Sequence, residues 1–190
     1  MDEALLGTML ASTLRLATPL IFCALAGMFS ERSGVVDIGL EGKMLFAAFA
    51  AGATGAVYGS AALALVAAVG VAIALSWMHG LACVSYQGDQ VVSGVAINII
   101  ASGLTAVLGI AWFAQGGQTP PVATEVRIQA LFPQFSAGLA GVPWVGALLG
   151  EGILGHNALV YLAIVFVPLS WWLLFKTRFG LRLRAVGENP

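Results

Sequence analysis

The sequence predicts an all-α membrane protein, a polytopic transmembrane bundle of about five helices. Its 190 residues are 59% hydrophobic and only 9% charged, with a mean hydropathy of +0.95. Soluble domains carry roughly 25% charged residues, so this chain lacks the polar surface that keeps a globule in water. Several of its apolar runs also have a length close to the about 20 residues that a helix needs to cross a bilayer. We therefore expect lipid to surround most of the chain.

Five apolar runs are candidates for membrane spans. They lie at residues 16–29, 44–58, 61–84, 91–113 and 158–175. The residues before the first run have apolar side chains at helical spacing, a pattern compatible with a separate piece lying in the membrane interface. The fourth run carries a stripe of small and polar residues that we expect to face the interior of the bundle: Gly94, Asn98, Ser102, Thr105 and Gly109.

The long connection at 114–157 differs from the spans in containing several prolines. Proline interrupts a helix, so this segment cannot be one continuous helix, and we expect it to form an extracytoplasmic loop region. The segment at 176–190 is basic, which predicts that it lies in the cytoplasm, because Lys and Arg accumulate on cytoplasmic flanks. An odd number of spans then puts the N-terminus outside. No repeat indicates a second domain within 1–190.

Several functional classes are disfavoured by the sequence. A net charge of −1 provides no basic surface for nucleic acid. Gly42-Lys43 is followed by Met44, whereas a phosphate-binding loop requires Ser or Thr there. His79 and His156 have no other metal ligands at suitable spacing, and Ser93 does not stand in a nucleophile elbow. We expect no metal, no cofactor and no enzymatic activity in this chain.

Glycines and charges interrupt the apolar sequence at residues 30–43, where Glu31, Asp37 and Glu41 lie. One interpretation is a cytoplasmic loop with solvated charges. The other is a re-entrant or unwound element lining an aqueous path, because irregular backbone at membrane depth persists only against protein or water. The sequence leaves both open.

Polar residues also occur where the fourth run begins. Asp89 is interpreted as a helix cap, whereas Gln90, Ser93 and Asn98 are candidates for a solute path. A buried amide without partners is costly, so Asn98 either joins neighbouring helices or contacts a polar solute.

Four segments together resemble the permease subunits of bacterial ATP-binding cassette (ABC) importers. They are Leu-Ala-Thr-Pro-Leu at 16–20, Glu-Arg-Ser-Gly-Val-Val-Asp-Ile-Gly-Leu-Glu-Gly at 31–42, Asp-Gln-Val-Val-Ser-Gly-Val-Ala-Ile-Asn at 89–98, and Arg-Leu-Arg-Ala-Val-Gly-Glu-Asn-Pro at 182–190. The resemblance covers essentially the whole chain and is strongest to the nucleoside-type branch, which belongs with the simple-sugar and branched-chain amino acid permeases. Asp37 stands where the family motif more often has Asn.

The resemblance implies a permease in the bacterial inner membrane that moves nucleosides or related compounds by alternating access. It implies three kinds of protein partner: a cytoplasmic ABC ATPase subunit, a second permease subunit and an extracytoplasmic solute-binding protein or lipoprotein. Segment 176–190 would begin the cytoplasmic coupling element that docks the ATPase, with the contact made by Arg182, Arg184, Ala185, Gly187, Glu188 and Asn189.

In the family, further spans follow the coupling element. We therefore expect this chain to be the N-terminal part of a larger permease. An ion-coupled secondary transporter is the alternative from another class, and it would need intramembrane carboxylates. Within the ABC class, simple sugars or other small solutes are the alternative cargo.

Overall fold

The structure, a computed structural model of the chain, describes residues 3–134, 138 and 146–188. Most of these residues are helical, and the extended contact between Ala130 and Asn157 is an isolated bridge. The predicted all-α class is confirmed. The described α-helices are α1 (Glu3–Arg32), α2 (Leu40–Tyr58), α3 (Ala61–Gly80), α4 (Gln90–Phe113), α5 (Ala158–Lys176) and α6 (Arg178–Glu188).

Helix α1 is continuous over 30 residues. The prediction of a separate interfacial piece before residue 16 is therefore wrong, because residues 5–15 belong to the same helix. The candidate span within α1 runs over Leu5–Arg32. At 1.5 Å rise per residue, such a helix is longer than the roughly 30 Å hydrocarbon core.

Four of the described helices are long and apolar enough to cross a membrane: α1, α3 together with the turn that follows it, α4 and α5. Helix α2 contains the fifth predicted run but is not among the four. Its first turns carry Glu41 and Lys43, which shorten its apolar part. Crossing by α2 stays a prediction.

Local sequence explains where the helices begin and end. Asp89 caps α4 as predicted, because its carboxylate accepts hydrogen bonds from the backbone N–H groups of Val91 and Val92 at 2.8 and 3.0 Å. Helix α2 ends at Gly59 in the left-handed conformation. A π-helical turn, Leu81–Ser85, extends α3.

The connection at 114–157 is not one continuous helix, as predicted. It contains a 3-10 turn at Thr124–Val126 and a π-helical segment at Gly146–Leu154. Its position relative to the membrane stays a prediction, and residues 135–137 and 139–145 lie outside the described residues.

The chain divides into two compact units. The first comprises Met1–Leu25 and Ile128–Phe175, and the second comprises Ala26–Arg127 and Lys176–Pro190. In the first unit, Val160, Ala163 and Leu174 of α5 are buried. In the second, α2 packs against α3 and α4, and the buried apolar side chains are Phe49, Ala53, Cys83, Ile97 and Ala101.

Candidate functional site

The candidate site lies in the second unit, where the connection between α1 and α2 packs on the first half of α4. This connection has no regular structure between Arg32 and Leu40. The hydroxyl of Ser30 donates to the carbonyl of Val35 at 2.7 Å, and Gly34 has a positive φ of 86°. The interrupted stretch is therefore a tightly folded, non-helical connection.

Gln90 fixes the centre of this connection to the start of α4. Its Oε1 accepts a hydrogen bond from the backbone N–H of Val36 at 2.6 Å, and its Nε2 donates to the carbonyl of Gly34 at 3.3 Å. One side-chain amide thus satisfies a donor and an acceptor of the same loop.

Asn98 makes the corresponding contact two turns further along α4. Its Oδ1 accepts from the backbone N–H of Gly42 at 2.7 Å, and its Nδ2 donates to the carbonyl of Ile38 at 3.1 Å. The sequence left two roles open for Asn98, which were joining helices and contacting a solute. In this structure Asn98 joins α4 to the start of α2.

A buried ion pair lies beside the hydrogen bonds made by Gln90 and Asn98. Lys43 Nζ contacts Asp37 Oδ2, and the two side chains are only 5% and 9% exposed. The other oxygen of Asp37 accepts from the backbone N–H of Gly39 at 3.1 Å. Burying two charges is favourable only when they are paired and hydrogen-bonded, as they are here.

His79, at the end of α3, connects the ion pair to α4. Its Nδ1 lies 3.0 Å from Ser93 Oγ, and its Nε2 lies 3.3 Å from the carbonyl oxygen of Val36 and 3.7 Å from Asp37 Oδ1. The sequence indicated only a packing or interface role for His79, because the partners of His79 are distant in the chain. The sequence did not predict that His79 lies between α3, α4 and the loop.

Ser93, His79 and Asp37 are also the residue types of a hydrolytic triad. The His79 side chain is only 3% exposed, and Asp37 is paired with Lys43. A general base must reach its substrate, which this buried ring does not. The arrangement therefore favours a structural role for the three side chains.

The structure brings together four of the six residues predicted for a solute path: Asp37, Gln90, Ser93 and Asn98. The other two, Glu31 and Glu41, are exposed. A role for these six residues in a solute path stays a prediction.

Helix α6 contacts the same connection through Gly187. A Cβ placed on Gly187 would meet the carbonyl oxygen of Arg32, and it would lie 2.9 Å from the backbone nitrogen of Gly34. The backbones of α6 and the connection therefore touch directly, as only glycine permits at this position.

Four more of the residues predicted for coupling lie on α6: Arg182, Arg184, Ala185 and Glu188. Arg182, Ala185 and Glu188 are exposed, and the Nε of Arg184 donates to the carbonyl of Gly180 at 3.4 Å. Asn189 lies outside the described residues. The apolar side chains of Phe179, Leu181 and Val186 are also more than half exposed.

A cavity of about 370 Å³ lies between α2 and α4, beside the loop that follows α4. The sequence did not indicate it. The loop after α4 turns back through Ala114 and Gly117, which have positive φ angles of 53° and 67°, and covers the two helices. The lining residues are Leu45, Ala48, Phe49, Thr105, Gly117, Gln118 and Thr119.

Comparison with curated proteins finds several similar permeases. NupQ, a guanosine ABC transporter permease protein of Bacillus subtilis (strain 168), is 39% identical over 98% of this chain and 57% of its own length. NupC, a nucleoside ABC transporter permease protein of Lactococcus lactis subsp. cremoris (strain MG1363), is 35% identical over 95% of this chain and 56% of its own. A putative glucose ABC transporter permease protein of Haloferax volcanii is 33% identical over 96% and 52%.

The chain thus spans about half the length of the curated relatives it matches. No solved structure matches it significantly. Residues 9–190 match the family model described as "Branched-chain amino acid transport system / permease component". Because that match covers nearly the whole chain, and several apolar helices accompany it, this multi-pass membrane protein belongs to that permease family.

Proposed function

We propose that this chain is part of the permease subunit of an ABC importer for nucleosides or related purine and pyrimidine compounds. The permease would move solute by alternating access in the bacterial inner membrane, and a separate ATPase chain would hydrolyse ATP. The relatives named for guanosine and nucleoside transport support this substrate class. A second permease subunit and an extracytoplasmic solute-binding protein complete the proposed assembly.

The observation that carries the proposal is the backbone contact of Gly187 with Arg32 and Gly34. Helix α6 presents arginines and exposed apolar side chains, as a protein-docking helix requires. Gly187 of the same helix touches a connection that Gln90 joins to α4. A displacement of α6 by a docked ATPase would therefore act on a loop that is hydrogen-bonded to a membrane span.

Orientation follows from which helix ends share one side of the second unit. The start of α2, the end of α3 and the start of α4 meet around His79 and Asp37, and α6 contacts the same connection. Arg32 and the arginines of α6 lie at this end, which supports assigning it to the cytoplasm. The N-terminus would then lie outside.

We place the cytoplasmic end of the solute path beside Glu31, Asp37, Glu41, Gln90, Ser93 and Asn98. Gln90 and Asn98 hold the backbone of the connection through their amides. Breaking those bonds would separate the connection from α4. In the proposed cycle these bonds close the inner end of the path, and the ATPase-driven movement of α6 opens it.

The proposal is tested by reconstituting the complete transporter in proteoliposomes with its ATPase and binding protein. We expect labelled guanosine or uridine to accumulate only with ATP. Accumulation driven by an ion gradient without ATP would instead indicate a secondary transporter.

The cargo has one specific alternative. The Haloferax volcanii relative is named as a putative glucose permease, so labelled glucose is included in the same assay. ATP-driven uptake of glucose without nucleoside uptake would overturn the proposed substrate class and retain the ABC permease.

A further inference from the structure

We propose that the cavity between α2 and α4 is a binding subsite for the base of a nucleoside, with the base lying along Phe49 and its polar edge contacting Gln118 and Thr119. This inference rests on the proposed function and deepens it, because it assigns the cargo to particular side chains. The cavity is separate from the hydrogen bonds of Gln90 and Asn98, because neither residue lines it.

The size and depth of the cavity suit a small solute. Its volume of about 370 Å³ falls in the range of roughly 300–1,000 Å³ that small-molecule sites occupy. Phe49 and Thr105 lie well inside their helices, about 12–14 Å from the C-terminal ends at 1.5 Å rise per residue. A solute entering beside the loop after α4 would thus reach membrane depth.

The chemistry of the lining distinguishes between solute classes. None of the seven lining residues is charged. A branched-chain amino acid would bring a carboxylate and an ammonium group to membrane depth, where unpaired charges are costly. A nucleoside is neutral, so it requires hydrogen bonds and an apolar surface instead.

One wall of the cavity is apolar and includes an aromatic ring. Leu45, Ala48 and Phe49 line it from α2, and Trp112 stacks on Phe49 with ring centroids 6.1 Å apart. Aromatic side chains bind planar bases by stacking, largely independently of base identity. A sugar alone has no aromatic face to stack on this ring.

The rest of the lining includes hydrogen-bonding groups. The hydroxyl of Thr105 donates to the carbonyl of Ala101 at 2.7 Å, so its oxygen retains lone pairs that can accept from a solute. The amide of Gln118 offers both a donor and an acceptor, which matches the mixed polar edge of a base. Thr119 lies against α2, because a Cβ on Gly52 would be 2.5 Å from its Oγ1.

The test is protection of a cysteine in the cavity from a thiol reagent, measured on the complete reconstituted transporter. Ala48→Cys places the thiol in the lining, and Ala62→Cys, at the exposed start of α3, is the matched control. The parent chain with Cys23 and Cys83 gives the background. At a guanosine concentration of about ten times its dissociation constant, mass action predicts labelling of Ala48→Cys about tenfold slower, with Ala62→Cys unchanged.

A second pair of variants tests the role of the ring. In the Ala48→Cys background, Phe49→Leu should raise the guanosine concentration needed for half-protection by about 2–10-fold. This is the change in affinity that corresponds to the loss of one aromatic contact. Phe46→Leu, on the same helix but outside the lining, should leave it unchanged. Equal effects of the two leucine variants would overturn the stacking contact.

The remaining outcomes separate this inference from the proposed function. If the transporter accumulates guanosine but guanosine leaves the labelling of Ala48→Cys unchanged, the cavity is not the subsite and the function stands. Equal protection by leucine would overturn the assignment to a base. If the parent transporter takes up glucose or leucine and no nucleoside, the proposed function is wrong and this inference is wrong with it.

Discussion

The side-chain oxygen of Asn98 accepts the backbone N–H of Gly42 at 2.7 Å. This bond joins the first half of α4 to the first turn of α2, across 56 residues of sequence. The two backbones are close here, because a Cβ on Gly42 would lie 2.8 Å from both the Cα and the Oδ1 of Asn98. Helix approach and hydrogen bonding are therefore established by one pair of residues.

Asn98→Ala should destabilise the permease. The substitution removes the acceptor for the buried N–H of Gly42 and the donor to the carbonyl of Ile38. A buried unsatisfied group costs about 1–3 kcal/mol, so the thermal unfolding midpoint of the purified protein should fall. Ser102→Ala is the matched control on α4, since the Ser102 hydroxyl is exposed and bonds within its own helix. Equal midpoints for the two variants would contradict a structural role for Asn98.

The sequence predicted that Asn98 needs a polar partner but not which one. Its position within an apolar run shows that an unpaired amide would be costly. Its actual partners are backbone groups of Ile38 and Gly42, and their positions depend on how the connection folds against α4. Helices and the Asp89 cap follow from local pattern, whereas such pairings depend on packing between distant segments.

The Asp37–Lys43 pair should behave as a coupled unit. Losing one partner leaves a buried charge alone, which costs about 3–5 kcal/mol. Asp37→Asn and Lys43→Met should therefore each lower the free energy of unfolding, and the double variant should lose less than the two losses combined.

The coupling energy of this double-mutant cycle should be about 0.5–3 kcal/mol, measured by chemical denaturation. Glu41→Gln is the control for removing an acid near the same helix start, because Glu41 is exposed and its charge stays hydrated. Strict additivity of the Asp37 and Lys43 variants would show that the buried contact contributes nothing to stability.

His79 and Gly187 show why the rest of the site could not be predicted from the sequence. A histidine at the end of an apolar helix indicates no particular partner, and His79 meets Ser93, Val36 and Asp37 only after three segments pack together. Gly187 was included through family resemblance. The close approach of its backbone to Arg32 and Gly34 is visible only in three dimensions. The cavity beside Phe49 likewise depends on the loop after α4 folding back.

Gly187→Ala should uncouple ATP hydrolysis from uptake. The added methyl group would meet the carbonyl of Arg32 and the nitrogen of Gly34, both backbone atoms that cannot rotate away. We expect α6 to shift relative to the connection, with a change of about 0.5–2 kcal/mol in the coupling between ATPase and permease. The measurement is the amount of nucleoside taken up per ATP hydrolysed.

Gly70→Ala is the matched control for this variant. Gly70 lies in α3, and a Cβ there meets no atom within 4 Å. Alanine favours a helix interior over glycine by about 0.5–1 kcal/mol, so this variant should retain normal coupling with unchanged or slightly higher stability. An unaltered uptake ratio in Gly187→Ala would refute transmission through this contact.

The proposed orientation predicts opposite labelling at the two ends of the second unit. Leu181 of α6 is 62% exposed and Tyr58, at the end of α2, is 70% exposed. Because basic residues accumulate on cytoplasmic flanks, a membrane-impermeant thiol reagent should label Leu181→Cys only from the cytoplasmic side and Tyr58→Cys only from outside. Labelling of both from one side would show that α2 does not cross the membrane. Labelling of Leu181→Cys from outside alone would put α6 beyond reach of a cytoplasmic ATPase and would end the coupling proposal.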